Sequence, residues 1–213
     1  VKILQKSGIE FVGPEYGYLS CGEIGIGRLS NEKKIIQIIL NYLNKSKKLQ
    51  NMKCLVTAGP TIEPIDPIRF ISNYSSGKQG YEIAKQLMLS GAKVILISGP
   101  TDLQPPPNIQ IINVNTTEEM GRAVKNNLKS DIAIFTAAVS DISPKKSTNA
   151  KIKKEKLRKI ILKTNPDIIK NVSLNKNKRP KFVVGFAAET DNYIKNAKKK
   201  LITKKCDLIV ANK

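Results

Sequence analysis

The chain has no histidine and no tryptophan among its 213 residues. Without histidine, an imidazole general base, a Ser-His-Asp triad and His-bound zinc are excluded within this sequence. Its chemistry must rest on Lys, Asn, Asp, backbone amides or an imported metal, whose ligands the sequence does not identify. Aromatic residues are only 5% of the total, so the core must be aliphatic and few rings exist on which bases could stack. The three cysteines, Cys21, Cys54 and Cys206, have no metal-ligand spacing. So sparse and odd a set fits a reducing cytosol without disulfides, hence the expectation of a cytoplasmic protein. No apolar run approaches the roughly 18 residues that span a bilayer, so no membrane association is expected. The start at Val1 shows no secretory pattern, and without an initiator Met it reads as a fragment or processed chain.

Acidic residues are also short: 17 Asp and Glu face 37 Lys and Arg, a net charge of +20. Such an excess invites a nucleic-acid partner. Its distribution argues against one. Residues 141–213 hold 21 Lys and Arg against 6 Asp and Glu, spread over loops and two predicted helices without interleaved aromatics. A nucleotide plus a phosphorylated substrate explains part of the excess, and a lysine-biased surface the remainder.

Residues 1–44 form a distinct unit. Short apolar stretches over 1–11 precede a Gly-rich loop containing Ser20-Cys21-Gly22-Glu23, and a helix follows from a Ser30/Asn31 cap. One helix in forty-odd residues is too little for an independent domain. Residues 45–52 are polar and basic and read as a linker. From residue 53 onward the pattern alternates. Strands are predicted at 54–57, 93–98, 109–114, 132–139, 160–163, 182–187 and 207–211. Helices are predicted at 80–90, from a Thr116 or Thr117 cap, from Asn165-Pro166-Asp167 with Pro166 at the first helical position, and at 192–205. The almost wholly apolar 132–139 should be central and parallel. Residues 141–158, with Lys145-Lys146 and Lys151-Ile152-Lys153-Lys154-Glu155-Lys156, suit no core and read as an exposed basic flap. The fold class is therefore α/β: a Rossmann-like, doubly wound, mostly parallel sheet with a basic flap, its ligand site past the C-terminal strand ends.

The most informative stretch is 57–80. A strand runs into a proline- and charge-rich loop, which delivers Ser72-Asn73-Tyr74-Ser75-Ser76-Gly77 to the start of a helix. Free amides and a positive dipole end make that junction suited to an anion. Asn73 has two readings from residues alone, as an amide donor to a reacting oxygen or as a turn and capping residue. Lys151 could close over a polyanion or belong to a solvated charge run. Lys200 and Lys204, at i,i+4, could reach one polyanion together or be surface lysines.

This stretch, followed in order by Ala137-Ala138-Val139-Ser140-Asp141, Lys151-Ile152-Lys153-Lys154, Asn165-Pro166-Asp167-Ile168, Gly185-Phe186-Ala187-Ala188-Glu189-Thr190 and 207–212, resembles the phosphopantothenate–cysteine ligase family over 53–212. That family is the synthetase half of a bifunctional coenzyme A biosynthetic enzyme. The resemblance implies that 4′-phosphopantothenate is activated by CTP as an acyl-cytidylate, with magnesium or a similar divalent ion, and that cysteine then displaces CMP. It assigns catalysis to Asn73 and Lys151. It assigns the nucleotide to Phe135, Thr136, Ala137, Asp141, Lys151, Pro166, Asp167, Ile168, Ile169, Phe186, Lys200 and Lys204. The substrate falls to Arg69, Asn73, Ser75, Ser76, Gly77 and Ala138. It also implies a homodimer.

Residues 1–44 resemble the end of the flavin-dependent decarboxylase half, with Cys21 matching that family's cysteine. The rest of that activity is absent upstream, so Cys21 is stranded, neither FMN binding nor decarboxylation is expected, and a separate decarboxylase polypeptide is a conceivable partner. Two departures are noted: Ser140 stands where Ala is commoner, and the chain stops at Lys213, which leaves residues 53–213 as a C-terminally shortened ligase domain. The competing readings are a dinucleotide oxidoreductase, which lacks G-x-G-x-x-G after the first strand, and a basic nucleic-acid-binding module or inactive fragment.

Overall fold

The computed structural model describes residues 3–4, 11–19, 21–43, 47–153, 155 and 159–212. Ser20, Lys154 and Lys156, most of the apolar stretches over 1–10, and the first two residues of the expected linker lie outside that set. The chain divides into two units, Val1–Lys45 and Ser46–Lys213.

In the first unit, the expected Gly-rich loop is instead an antiparallel hairpin, β1 (Glu15–Tyr18) against β2 (Ile24–Arg28). Alternate glycines leave room between the strands: a Cβ on Gly17 would lie 3.0 Å from the Arg28 side chain. The helix α1 (Glu32–Leu43) follows, and Lys34 Nζ meets Glu15 Oε1 at 2.6 Å. Among the described residues of this unit only Ser30 is buried, while Ile36, Ile39 and Leu40 are exposed.

The second unit is built on six strands: β3 (Lys53–Ala58), β6 (Lys93–Ser98), β7 (Gln110–Asn113), β8 (Ile132–Phe135), β11 (Phe182–Ala188) and β12 (Leu208–Asn212). All pair in parallel, in the order β12-β11-β8-β3-β6-β7. That is the Rossmann order, with the reversal of winding between β3 and β8. Both faces of β3 are buried and diverge by alternation. Cys54, Val56 and Ala58 enter one core with Val94, Leu96, Tyr81 and Ala84. Leu55 enters the other with Ile97, Met120, Val124, Phe135, Ile168 and Val183. The helix α2 (Lys78–Leu89) covers the first face. The helices α3 (Thr117–Asn126) and α4 (Ile168–Ser173) cover the second, where Leu201 of α5 (Tyr193–Lys204) also packs. The sheet is mostly aliphatic, with Phe135, Phe182 and Phe186 as its aromatic members.

Local sequence explains most boundaries. Thr116 caps α3 by accepting from the Glu119 amide at 3.2 Å, and Glu119 reaches back to the Thr116 amide, a full capping box. Asp167 caps α4 by accepting from Lys170 N–H at 3.0 Å. Pro166 therefore precedes the cap rather than occupying the first helical turn. The expected strand 132–139 ends at Phe135, because the chain past it turns to bond β3 and the loop beyond: Ala138 N–H donates to Gly59 O at 2.9 Å. The long loop after β3 is not irregular; it contains a small hairpin, β4 (Ile62–Pro64) with β5 (Phe70–Ser72). The base of the flap is likewise a hairpin, β9 (Ile142–Pro144) with β10 (Leu162–Thr164), while residues 145–151 between them are exposed. Among the described residues no helix is long and apolar enough to cross a membrane.

Candidate functional site

A cleft of about 450 Å³ opens at the C-terminal ends of the strands, where the winding reverses. Thr57 lies next to the end of β3 there, residues 135–141 leave β8, Phe186–Ala188 end β11 and Asn212 ends β12. The loop–helix junction before α2 adds Asn73, Tyr74, Ser75 and Gln79. The start of α4 adds Pro166, Asp167, Ile168 and Ile169, and α5 adds Lys200 and Lys204. A volume in this range suits a nucleotide- or coenzyme-sized ligand.

Two close backbone approaches shape the α2 wall. Gly77 takes φ +73°, and a Cβ there would meet Thr101 Cγ2 at 2.7 Å. Gly80 lies against β3 so tightly that a Cβ would stand 2.6 Å from Ala58 Cβ and 2.5 Å from Thr136 Oγ1. The N-cap of α2 is Gly77, which has no side chain to cap it, and Ser76 Oγ accepts only a long bond from Lys78 N–H at 3.5 Å. Ser75 Oγ accepts from Gly77 N–H at 3.3 Å, which folds the serine back beneath the turn. Asn73 Nδ2 donates to Val139 O at 3.0 Å and so ties this loop to the one leaving β8. Thr136 Oγ1 donates to Thr57 O at 2.6 Å across the switch point.

The structure thus brings together Asn73, Ser75, Phe135, Thr136, Ala137, Ala138, Asp141, Pro166, Asp167, Ile168, Ile169, Phe186, Lys200 and Lys204 from the sequence-based set. Five others lie elsewhere. Ser76 and Gly77 flank the helix start without lining the cleft, Ser76 instead facing a separate recess with Pro100 and Thr101. Cys21 is exposed in the first unit. Arg69 is engaged in a clamp: its guanidinium holds Asp66 and donates to Ile152 O at 2.7 Å, while Ile152 N–H donates to Asp66 Oδ2 at 3.2 Å. Lys151 is exposed beside that clamp and does not line the cleft. The expected substrate contact of Arg69 is therefore a loop-to-flap fastening here. Hydrogen bonds from Arg69, then from the Ile68, Ile152 and Arg69 amides, hold the Asp66 carboxyl well below the usual carboxylate range against the opposing effect of burial.

The lysine pair also differs from the expectation of two cations meeting one polyanion. Lys200 Nζ sits 2.6 Å from Glu189 Oε1, and Lys204 Nζ 3.4 Å from Asp167 Oδ2. The Lys200 ammonium lowers the Glu189 pKa, with Asn196 assisting. Each lysine is charge-balanced in place, so an entering anion must compete with a carboxylate. Burial pushes the Cys54 thiol up to about 11 and raises that of Cys206, which leaves both as packing residues. No group of three or more Cys, Asp or Glu side chains among the described residues is arranged to hold a metal ion.

Sequence reasoning missed a buried polar cluster behind the cleft. Glu63, Thr61, Thr117 and Ser140 are all nearly inaccessible. They join β4, the start of α3 and the loop leaving β8. The available signal was Thr61 and Glu63 in a segment between apolar residues, and a second threonine, Thr117, beside the one that caps α3.

The chain from residue 49 to 213 matches the DNA/pantothenate metabolism flavoprotein C-terminal domain. It is 44% identical over 216 residues to the coenzyme A biosynthesis bifunctional protein CoaBC of Borreliella burgdorferi, covering all of this chain and 55% of that protein. The chain thus spans about half the length of the curated relatives it matches. Among solved structures it resembles the C-terminal domain of a coenzyme A biosynthesis bifunctional protein CoaBC, with TM-score 0.69 and 43% identity over 78% of this chain and 80% of that one. It also resembles the DNA/pantothenate metabolism flavoprotein of Streptococcus pneumoniae, with TM-score 0.66 and 30% identity over 76% and 82%.

These matches correct the resemblance drawn from motifs. The matching family is described as the C-terminal part of a flavoprotein, and none of these descriptions carries a ligase, CTP or magnesium. The assignment to the CTP-dependent ligase half is set aside accordingly, with its nucleotide and its metal. The expectation that FMN is excluded falls as well, since the family description itself includes a flavoprotein. The oxidoreductase and nucleic-acid alternatives gain nothing from the matches. By sequence and by fold, the chain belongs to the DNA/pantothenate metabolism flavoprotein C-terminal domain family.

Proposed function

We propose that the cleft binds a phosphate ester, in service of coenzyme A biosynthesis. The pathway comes from the names of the relatives. The chemistry comes from one observation: Ser75 and Gln79, on either side of the α2 start, line the same cleft as Lys200 and Lys204. Backbone amides at a helix N-terminus favour an anion. Lys200 and Lys204 can exchange a carboxylate partner for a phosphate, which offers more acceptor oxygens to an ammonium. Asn73 Oδ1 and the amides of Val139 and Asp141 supply a neutral acceptor and donors for the remainder of the ligand, and Phe186, Ile168 and Ile169 give it an apolar surface.

The phosphate could be carried by FMN, toward which the family description points, or by a pantothenate derivative such as 4′-phosphopantothenate. The donor set fits the phosphate of either. Equilibrium dialysis of the full chain against each, with other nucleotides as controls, separates them. Binding of one, weakened about tenfold or more by combined Lys200→Ala and Lys204→Ala, is the expected result. Retention of none of these esters by a folded chain overturns the reading. The first unit, nearly without buried side chains among its described residues, is read as the end of a domain that precedes this one in the longer relatives, with 45–52 as linker and 53–213 as the phosphate-binding domain. Homodimer formation is part of the same reading. Ile142, Ile161 and Leu162 are exposed on the β9–β10 hairpin, and sedimentation of the full chain as a monomer at all concentrations would remove it.

A further inference from the structure

We infer that Glu63, remote from the cleft lining, is a positioning residue that sets the cleft wall leaving β8 through a one-way chain of hydrogen bonds. The inference rests on the phosphate-binding reading for its functional consequence, though not for its geometry. Glu63 is 5% exposed and forms no ion pair among the described residues. Its Oε1 accepts from Thr117 N–H at 2.8 Å and from Thr117 Oγ1 at 2.7 Å. Thr117 opens α3, so the helix dipole stabilises the buried charge.

A carboxylate can only accept, and this fixes the direction of every hydroxyl behind it. Thr117 Oγ1 lies 3.3 Å from Ser140 O but 2.7 Å from Glu63 Oε1, so its one hydroxyl proton goes to the nearer carboxylate oxygen. Thr61 Oγ1, 3.0 Å away, must then donate to Thr117 Oγ1. The acceptor face of Thr61 Oγ1 is left to take Ser140 N–H at 2.9 Å. Asn165 Nδ2 holds the other side of the same residue, donating to Ser140 O at 2.9 Å, and is itself oriented by Ser143 Oγ at 2.7 Å. Ser140 lies between Val139 and Asp141, all three lining the cleft, and Val139 O takes the Asn73 amide. A displacement of Ser140 therefore moves the partner of Asn73.

The test uses the full chain in four forms: wild type, Glu63→Ala, Glu63→Gln and Thr61→Val. Circular dichroism checks folding, amide exchange reads the Ser140 N–H, and dialysis reads the affinity for FMN and for 4′-phosphopantothenate. Glutamine keeps an oxygen that accepts both Thr117 donors, so Glu63→Gln should hold Ser140 exchange and probe affinity within about threefold of wild type. Glu63→Ala and Thr61→Val should each speed Ser140 exchange and weaken the bound probe by about tenfold, the order expected when one buried donor loses its acceptor. Thr61→Val removes the Ser140 acceptor directly and so calibrates a full loss, while Glu63→Ala against Glu63→Gln is the decisive pair. Glu63→Ala with Ser140 protection and affinity unchanged overturns the inference. If Glu63→Ala does not fold, Thr117→Val decides in its place, because it leaves the backbone N–H on Glu63 and Thr61 Oγ1 on Ser140: faster Ser140 exchange supports the positioning chain, and unchanged exchange overturns it. If wild type binds neither probe, the phosphate-ester reading fails, while the exchange of Ser140 still accepts or rejects the positioning chain.

Discussion

Two helical glycines give opposite responses to the same substitution. Alanine is favoured over glycine in a helix interior by about 1 kcal/mol. Gly121 of α3 can realise that gain, since a Cβ there would first meet Ile168 Cγ1 at 3.8 Å, an ordinary contact. Gly80 of α2 cannot. Its Cβ would meet Thr136 Oγ1 at 2.5 Å, Ala58 Cβ at 2.6 Å and Ala58 Cα at 3.2 Å. Ala58 is fully buried in β3 and Thr136 Oγ1 is held by Thr57 O, so neither can yield without moving the strand end or the helix. Overpacking of this kind costs about 1–3 kcal/mol, and three short contacts on rigid groups argue for the upper half. Set against the propensity gain, Gly80→Ala should lose about 1–2 kcal/mol and Gly121→Ala should gain about 1 kcal/mol. Urea unfolding followed by circular dichroism measures both, with the midpoints compared at unchanged slope. Gly80→Ala as stable as wild type, or Gly121→Ala less stable, would refute the packing account of the α2–β3 contact.

Acid sensitivity should centre on the clamp. The folded pKa of Asp66 is lowered, so its contribution is fully present above the unfolded carboxylate value of about 3.9 and is lost as pH falls through the folded one. Asp66→Asn should therefore be less stable at neutral pH and show a shallower decline of the urea midpoint below about pH 4; a decline as steep as wild type would contradict it. Thiol labelling should be graded by burial. Cys21 is exposed and should react with a neutral-pH thiol reagent without unfolding, whereas Cys54 and Cys206, buried and with raised pKa values, should react only as the chain opens. Fast labelling of Cys54 in the native state would show that β3 is not the sealed strand described.

The sheet was legible because its strands are apolar runs with turn chemistry between them, and 132–139 read as central from composition alone, though the strand stops at Phe135. What escaped were short antiparallel pairs whose stability is not local. The β4–β5 and β9–β10 hairpins have three residues per strand, and β1–β2 is glycine-rich; of these strands only β10 was expected, as 160–163, and it pairs antiparallel with β9 rather than joining the parallel sheet. The cleft lining could be read from segments ending at the strand tips, since strand order alone gathers Thr57, residues 135–141 and Phe186 at the switch point. Partnerships could not. That Arg69 turns to Asp66 and Ile152, and that Lys200 and Lys204 stand on Glu189 and Asp167, depends on side chains brought together from distant positions. Motif order also carried the activity further than the family match supports: it brought in a ligase, CTP and magnesium, which the matching descriptions do not contain.

The central claim is that the cleft at the reversal of winding is where a phosphate ester sits. Hydrogen–deuterium exchange of the full chain, with and without saturating FMN or 4′-phosphopantothenate, tests it most directly. The account predicts slowed exchange confined to residues 73–80, 136–141, 166–169 and the last turns of α5 for whichever ester binds. Protection elsewhere, with those segments unchanged in the presence of a bound ester, would contradict it.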